Sequence, residues 1–170
     1  IKEIQLNKIE ESQFSFQSDL LNGKDNSFVK GNFQSEKYFK SIEPIIRQEF
    51  TFKRALSGKN AEWKDKIENC NAVSIHIRRG DYISIQANAK KFEQTALSYY
   101  DNAIQCIANQ LKNPVFFVFS DDTTWVKQHL KSDFPLHFID NNNTADTSHL
   151  DMQLMSLCQH NIICNSTFSW

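Results

Sequence analysis

Short apolar runs alternate with longer segments of helical periodicity from residue 73 to the end of the chain. The runs have the length of buried β-strands, and they lie at 73–77, 115–119, 136–139 and 161–164. The segments between them predict helices, at 94–111, 123–130 and 149–159. Strands that are joined through helices run parallel, and a parallel sheet is covered on both faces. We therefore expect an α/β fold, a Rossmann-like parallel sheet with flanking helices.

The first third of the chain is more polar and its pattern is weaker. Two short β-like pieces are predicted there, at 14–17 and 27–33. A helix capped by Ser35 is predicted next, and it carries apolar residues at helical spacing: Tyr38, Phe39, Ile42, Ile45 and Ile46. The change of pattern predicts a division into an N-terminal segment, 1–70, and a ligand-binding domain, 71–170.

Composition excludes several classes of protein. The formal net charge is −1, so the chain lacks the general basic field that binds nucleic acid. No apolar run approaches the roughly 20 residues that a membrane-spanning helix needs. The sequence opens on Ile1 rather than Met and stops at Trp170, directly behind a loop. We therefore expect both ends to be cut, with any targeting segment missing.

The cysteines give an indication of the compartment. Cys70, Cys106, Cys158 and Cys164 show no CxxC pairing, and three of them lie in apolar runs where a small apolar residue would serve. This pattern favours buried thiols in a reducing compartment over disulfides or metal ligands.

Ligands of a doubly wound sheet bind beyond the carboxyl ends of its strands, so the loops after residues 77, 119 and 164 are candidate sites. The first loop places Arg78, Arg79 and Gly80 at the end of a buried strand. A guanidinium group is always charged, and its planar fork matches phosphate oxygens two at a time. Two adjacent arginines at this position predict a diphosphate site.

The neighbours of these arginines fit the same prediction. Gly80 would let the backbone approach a ligand closely, Asp81 could hold one arginine by an ion pair, and the His76 imidazole could point toward the same crevice. The alternative is that Arg78, Arg79 and Asp81 form an ordinary surface ion-pair cluster, which would contribute little to stability.

The second loop reads Ser120, Asp121, Asp122 and Thr123. These residue types suit a helix start, where they satisfy free backbone N–H groups and favour the positive end of the helix dipole. Two adjacent carboxylates are also candidate ligands of a divalent metal ion. However, they lack Asp-x-Asp spacing and no His or Cys lies nearby, so we expect no metal site.

The third region runs from Ser148 to the end of the chain. Ser148 and Asp151 have the spacing of a capping box, which gives Asp151 a structural role without any ligand. Asn165, Ser166 and Thr167 supply an amide, hydroxyls and backbone N–H groups at an expected helix start, which is a preferred location for phosphate. Plain N-capping is the alternative for this loop.

In this order and at this spacing, the motifs resemble those of the alpha-1,2-fucosyltransferases, glycosyltransferase family 11. The matching stretches are 34–39, 76–82, 116–122 with Trp125, and 151–170. Together they cover most of the chain from about residue 31 to its end.

The resemblance implies the donor-binding half of a GT-B-type enzyme that uses neither a metal ion nor another cofactor. The implied reaction moves L-fucose from GDP-fucose to the 2-hydroxyl of a galactose-terminated oligosaccharide, with inversion at the anomeric carbon. Arg78 and Arg79 would bind the diphosphate and stabilise the departing GDP, while Asp151 would contact the edge of guanine.

Carried onto this sequence, the resemblance implies a catalytic set of Arg78, Arg79 and Asp81. The implied substrate-binding set draws on all three loops: His76, Gly80, Tyr82, Ser120, Asp121, Asp151, Asn165, Ser166, Thr167, Phe168 and Ser169. Within it, residues 166–169 would close over the phosphates.

The sequence departs from the family by truncation. Family members open with a glycine-rich strand and loop that is absent here, and they continue into further helix after the final Trp. Residues 1–70 are then expected to be a remnant of the acceptor-side domain with its connecting helix, and 71–170 a donor-binding domain cut at its C-terminus. No general base is assigned.

The expected partners are GDP-fucose and the galactoside acceptor, without nucleic acid. The expected location is the bacterial cytoplasm, at the inner face of the membrane through the acceptor. The alternative function is a non-catalytic module that binds a nucleotide sugar or a glycan.

Overall fold

The computed structural model of the chain describes residues 6–80 and 95–170. The chain divides into two compact units, Ile1–Lys53 and Arg54–Trp170. Helix α2 (Lys59–Glu68) belongs to the second unit, where its residues Trp63 and Ile67 pack against the sheet. The boundary predicted at residue 70 therefore separates α2 from the sheet that it covers.

The first unit contains a two-stranded parallel sheet of β1 (Asn7–Glu10) and β2 (Ser27–Lys30). The strand predicted within 27–33 is confirmed. The strand predicted at 14–17 is wrong, because the partner of β2 lies earlier, where Ile9 stands opposite Val29 and supplies an apolar cross-strand pair. A 3-10 helix follows at Ser18–Asn22.

The helix predicted from Ser35 is broken into shorter pieces. Two 3-10 segments, Glu36–Tyr38 and Lys40–Ile42, precede helix α1 (Glu43–Glu49), and the Ser35 side chain makes no capping hydrogen bond. Pro44 explains the break. Inside a continuous helix its ring would remove one hydrogen bond and clash with the preceding turn, whereas the first turn of α1 tolerates it.

Four parallel strands in the order β5-β4-β3-β6 form the sheet of the second unit. The strands are β3 (Asn71–Ile77), β4 (Pro114–Ser120), β5 (Leu136–Ile139) and β6 (His160–Ile162). Besides α2, the flanking helices within the described residues are α3 (Leu97–Ala108), α4 (Thr123–His129) and α5 (Ser148–Leu157). The predicted α/β fold, with a parallel sheet and flanking helices, is confirmed.

Each face of this sheet has its own apolar core, because successive side chains along β3 and β4 point to opposite faces. One core contains Val73, Ile75, Phe116, Val118 and, from α3, Tyr100 and Ile104. The other contains Phe117, Phe119, Ile67 of α2 and Leu154 of α5. Burial on both faces explains why the strands appear in the sequence as continuous apolar runs.

The order of the strands reverses at β3. The chain adds β4 and β5 on one side of it and then returns to add β6 on the other. In open α/β sheets, the crevice at the carboxyl ends beside such a reversal is the usual ligand site. β3 and β4 end together, at the paired residues Ile77 and Ser120. Within 6–80 and 95–170, no helix has the length and apolar character needed to cross a membrane.

Candidate functional site

A cavity of about 250 Å³ lies at the carboxyl ends of β3 and β4. Its wall includes His76 of β3, Arg78 just beyond that strand, and Ser120 and Asp121 at the end of β4. Asp151 of α5 also lines it. Residues from three predicted loops or their flanking elements therefore reach one cavity, as the position of the strand reversal favours.

Asp121 organises the turn that follows β3. Its Oδ2 lies 3.1 Å from Arg78 Nη1, and its two carboxylate oxygens accept hydrogen bonds from the backbone N–H groups of Arg79 (2.9 Å) and Gly80 (3.0 Å). A Cβ atom at residue 80 would lie 2.7 Å from the same Oδ2, so glycine is what permits this close approach. Asp121 therefore forms an ion pair with Arg78 and fixes the turn that carries it. Asp81 and Tyr82 lie outside the described residues.

Arg79 points away from the cavity that Arg78 lines. Its guanidinium carbon is 3.3 Å from the centroid of the Trp125 ring, and its Nε lies 3.3 Å from Asp122 Oδ2. The side chain is 11 % exposed and borders a separate cavity beside Tyr100. The expectation that both guanidiniums face one diphosphate site is therefore wrong, because adjacent residues at a strand end project to opposite sides.

The loop after β4 combines capping with cavity lining. Asp122 is the N-cap of α4, where its carboxylate accepts the backbone N–H of Trp125 at 3.1 Å. This confirms the helix-capping interpretation for Asp122. Ser120 is buried, and its hydroxyl accepts the backbone N–H of Asp122 at 3.1 Å.

His76 forms part of the cavity wall as a buried, neutral imidazole. Its Nδ1 lies 3.3 Å from Cys164 Sγ, and its ring packs on Phe168 with centroids 5.1 Å apart. Burial lowers the pKa of His76 to about 4; Asp121 opposes this shift and Arg78 adds to it. His76 therefore brings no positive charge to the cavity near neutral pH.

Asp151 is 6 % exposed and lies in the same cavity. Burial raises the pKa of its carboxyl to about 6, and a hydrogen bond from Asn142 opposes part of this rise. The capping box predicted between Ser148 and Asp151 does not form. Helix α5 begins one residue earlier than the box requires, with Thr147 as N-cap, so Asp151 lies beyond the capping position.

Three consecutive asparagines after β5 were missed by the sequence prediction. Asn142 and Asn143 line the cavity, and Asn143 Nδ2 donates to Thr123 Oγ1 at 2.9 Å. Asn141 Oδ1 accepts the Trp63 Nε1–H at 3.0 Å. In sequence, such a polar triplet after an apolar run is typical of a turn, and only the fold brings its amides against three helices.

The loop after β6 contributes one side chain to the cavity, that of Phe168. Asn165 is instead in contact with Thr95, whose hydroxyl lies 3.4 Å from Asn165 Oδ1. The hydroxyl of Ser166 accepts the backbone N–H of Phe168 at 3.3 Å, and the carbonyl of Ser166 accepts from Ser169 and Trp170. Ser166, Thr167 and Ser169 form a local turn and are not among the residues that line the cavity.

The cysteines are all free thiols, with Cys158 and Cys164 buried and Cys106 exposed. In the part of the chain that the structure describes, no three His, Cys, Asp or Glu side chains are grouped in a way that could hold a metal ion.

Comparison with known proteins identifies relatives of the chain. Residues 3–170 match the profile of Glycosyl transferase family 11. The chain is 37 % identical over 166 residues to an alpha-1,2-colitosyltransferase of Escherichia coli, an alignment that covers 91 % of the chain and 55 % of that protein. It is 43 % identical over 104 residues to the Escherichia coli O-antigen biosynthesis glycosyltransferase WbnK, which covers 61 % of the chain and 34 % of that protein.

A more distant relative is the galactoside alpha-(1,2)-fucosyltransferase 1 of Rattus norvegicus, 26 % identical over 141 residues, or 78 % of the chain and 37 % of that protein. The chain spans about half the length, or less, of these relatives. No solved structure matches it significantly. Because the family profile covers nearly all of its residues, the chain belongs to glycosyltransferase family 11.

Proposed function

We propose that this chain is the donor-binding part of an enzyme that transfers L-fucose from GDP-fucose to the 2-hydroxyl of a galactoside, with inversion at the anomeric carbon. The observation that carries the proposal is that Arg78 and Asp151 line one cavity at the strand reversal. The guanidinium of Arg78 can pair with the diphosphate of a guanine nucleotide, and the buried carboxyl of Asp151 can accept hydrogen bonds from its base.

Arg78 is the proposed phosphate contact. Its side chain is about one-third exposed, and Asp121 holds it in place. As the bond between fucose C1 and the phosphate oxygen breaks, negative charge grows on the departing GDP. A guanidinium that is already oriented stabilises this charge more in the transition state than in the ground state.

Asp151 is the proposed contact for the base. Guanine presents two adjacent N–H groups on one edge, and a carboxylate can accept both. A base that lacks these donors would leave a buried carboxylate unpaired, which is how a polar site rejects the wrong ligand. The neutral His76 adds no competing positive charge.

In the proposed reaction the acceptor oxygen forms the new bond to C1 from the face opposite to GDP. GDP departs with the bonding electron pair, and the acceptor hydroxyl loses its proton to a base that the proposal leaves unassigned. No metal ion or cofactor takes part in the proposed reaction, because Arg78 supplies the charge at the departing phosphate.

Transfer of colitose is a second candidate for the same site. It is favoured by the 37 % identity over 166 residues to a protein named as an alpha-1,2-colitosyltransferase. The two candidates share the proposed cavity and differ in the sugar that the donor carries.

A donor screen with the full-length protein tests the proposal. Labelled GDP-fucose, GDP-mannose, a nucleotide-linked colitose and a UDP-sugar are each supplied with a galactose-terminated acceptor. We expect transfer from GDP-fucose, with a product that a 2-linkage-specific fucosidase cleaves. Preferred transfer from colitose supports the second candidate, and preferred transfer from a UDP-sugar contradicts both. Binding of GDP without any transfer indicates a non-catalytic module.

A further inference from the structure

Asn142 has an unusual position for an uncharged polar side chain. It is 1 % exposed, and it lies between Asn60 of α2 and Asp151 of α5 at the edge of the candidate cavity. A buried amide is costly unless its donors and acceptor are all paired. Burial of Asn142 beside a ligand cavity therefore calls for a specific set of partners.

The amide of Asn142 has such a set. Its Nδ2 donates to Asn60 Oδ1 at 2.8 Å and to Asp151 Oδ1 at 2.7 Å. Its Oδ1 accepts from Asn60 Nδ2 and from Asn141 Nδ2, each at 3.0 Å. Two N–H donors and two lone pairs are the full capacity of an amide group, so Asn142 cannot rotate without losing several bonds. Its N–H toward Asp151 is fixed in direction by α2.

Asp151 is the acidic member of this hydrogen-bonded cluster, and its side chain lines the cavity. The hydrogen bond from Asn142 goes to Oδ1 of Asp151, and a donor N–H favours the ionised form of the carboxyl that it contacts. Burial acts in the other direction on Asp151. The state of the carboxyl near neutral pH thus depends on the balance between its burial and a single amide.

We propose that Asn142 is a positioning residue that holds the Asp151 carboxyl in the orientation and the ionised form needed to accept two adjacent N–H groups of a guanine base. This inference rests on the proposed function, since it deepens the account of base recognition. Asn142 acts through Asp151, and its amide is already occupied by protein partners.

Other charged groups share the cavity and have to be separated from this effect. Among the described residues, the titratable or charged side chains that line it with Asp151 are His76 and Arg78 from β3 and its loop, and Asp121 from β4. Helix α2 contributes the uncharged Asn60 to this cluster. A guanidinium group is always charged, and burial lowers the pKa of His76 to about 4, so neither group changes charge between the two pH values of the test below.

The test compares wild type, Asn142→Ala and Asn141→Ala in the full-length protein. Asn141 lies in the same loop and bonds to Trp63, Asn60 and Asn142. Its replacement leaves the hydrogen bond from Asn142 to Asp151 in place, so it controls for loosening of the loop. GDP affinity is measured by calorimetry at about pH 6.5 and about pH 8.5, and each variant is expressed relative to wild type at the same pH. The GDP phosphate titrates equally in both measurements, so its effect drops out of the ratio of variant to wild-type affinity.

We expect Asn142→Ala to bind GDP about tenfold or more weakly than wild type at the lower pH, because Asp151 is then protonated without the Asn142 N–H. At the higher pH Asp151 is ionised in both proteins, so the affinities should agree within about threefold. The Asn141→Ala ratio should not change with pH. A loss for Asn142→Ala that is the same at both pH values overturns the inference and indicates a structural role.

A second readout separates the inference from the proposed function. The carboxyl carbon of Asp151 is followed by NMR as a function of pH without any nucleotide, and it is assigned with Asp151→Asn. Its titration midpoint should be higher in Asn142→Ala than in wild type, and an unchanged midpoint overturns the inference. Failure of wild type to bind GDP overturns the proposed function, whatever the midpoint. If Asn142→Ala does not fold, Asn142→Ser removes the same amide and the same shift is expected.

Discussion

The guanidinium of Arg79 stacks on the indole ring of Trp125, with Arg79 Cζ 3.3 Å from the ring centroid, while the adjacent Arg78 faces the candidate cavity. Asp122 pairs with the Nε of Arg79 and also caps α4. Each of the two consecutive aspartates therefore holds a different arginine, Asp121 on the cavity side and Asp122 on the other. Arg79 is a part of the packing between β3 and α4.

Replacement of Arg79 by Lys should lower stability more than it lowers nucleotide affinity. Lysine keeps the charge but cannot present a planar group to the Trp125 ring, so the free energy of unfolding should fall by about 1–2 kcal/mol, the range for a partly buried cation–π contact. Urea denaturation of the full-length protein measures this difference.

Lys127→Ala is the matched control for Arg79→Lys. Lys127 lies on the same helix, α4, in an exposed ion pair with Asp140, and exposed pairs contribute little to stability. Calorimetry with GDP tests the alternative role of Arg79, a direct contact with the nucleotide. If Arg79→Lys binds GDP as weakly as Arg78→Lys does, then Arg79 contacts the nucleotide and its packing role is insufficient.

A methyl group at residue 80 should disrupt the site. In Gly80→Ala the new Cβ would lie 2.7 Å from Asp121 Oδ2, so the carboxylate has to move and loses its contacts with two backbone N–H groups and with Arg78. We expect fucosyl transfer to fall about tenfold or more, because a catalytic group displaced by a fraction of an ångström works poorly.

Gly23→Ala provides the comparison for Gly80→Ala. Its added methyl would meet nothing closer than 3.4 Å, which is ordinary van der Waals contact. Transfer assays on both variants should therefore show a large loss in one and near-normal activity in the other. Equal activities would mean that the close approach of Asp121 to the turn is unimportant.

The pH dependence of stability should change when Asp151 is replaced by Asn. Burial lowers the pKa of His76 from 6.5 to about 4, so the unfolded chain binds the extra proton and stability is lost as pH falls from 6.5 toward 4. Burial raises the pKa of Asp151 from 3.8 to about 6, so the folded chain binds the extra proton and stability is lost as pH rises from 3.8 toward 6.

These two effects oppose each other in wild type between about pH 4 and 6. Asp151→Asn removes the second one, so its free energy of unfolding should rise more steeply with pH than that of wild type, by up to about 3 kcal/mol over this interval. Urea denaturation at several pH values provides the comparison. Parallel curves for the two proteins would show that the pKa of Asp151 is not raised as described.

The sheet was predictable from the sequence because its strands are buried on both faces. Phe116 to Phe119 is apolar at every position, and such a run between helical segments has few alternative explanations. The N-terminal unit was not predictable to the same extent. Its strands are half exposed, and Pro44 breaks a helical pattern that otherwise continues through Ile45 and Ile46.

The site was predictable where topology alone decides it. Strand ends that meet at one edge bring His76, Arg78 and Ser120 to one cavity, whatever the details of the loops. Asp151 of α5 was expected there only from the family resemblance. The direction of Arg79 depends on Trp125, which is distant in the sequence and offers its ring only after α4 has packed. The role of Asn142 likewise depends on Asn60, a residue of a helix that the sequence pattern did not reveal.

Fucosyl transfer by full-length Arg78→Ala tests the central claim most directly, namely that one guanidinium at the end of β3 stabilises the departing nucleotide. Arg47→Ala, which removes an exposed arginine paired with Glu43 in α1, is the control and should keep normal activity. The account predicts that Arg78→Ala, still folded by circular dichroism, turns over GDP-fucose about 10²- to 10³-fold more slowly than wild type. Near-normal turnover by the folded variant would contradict it.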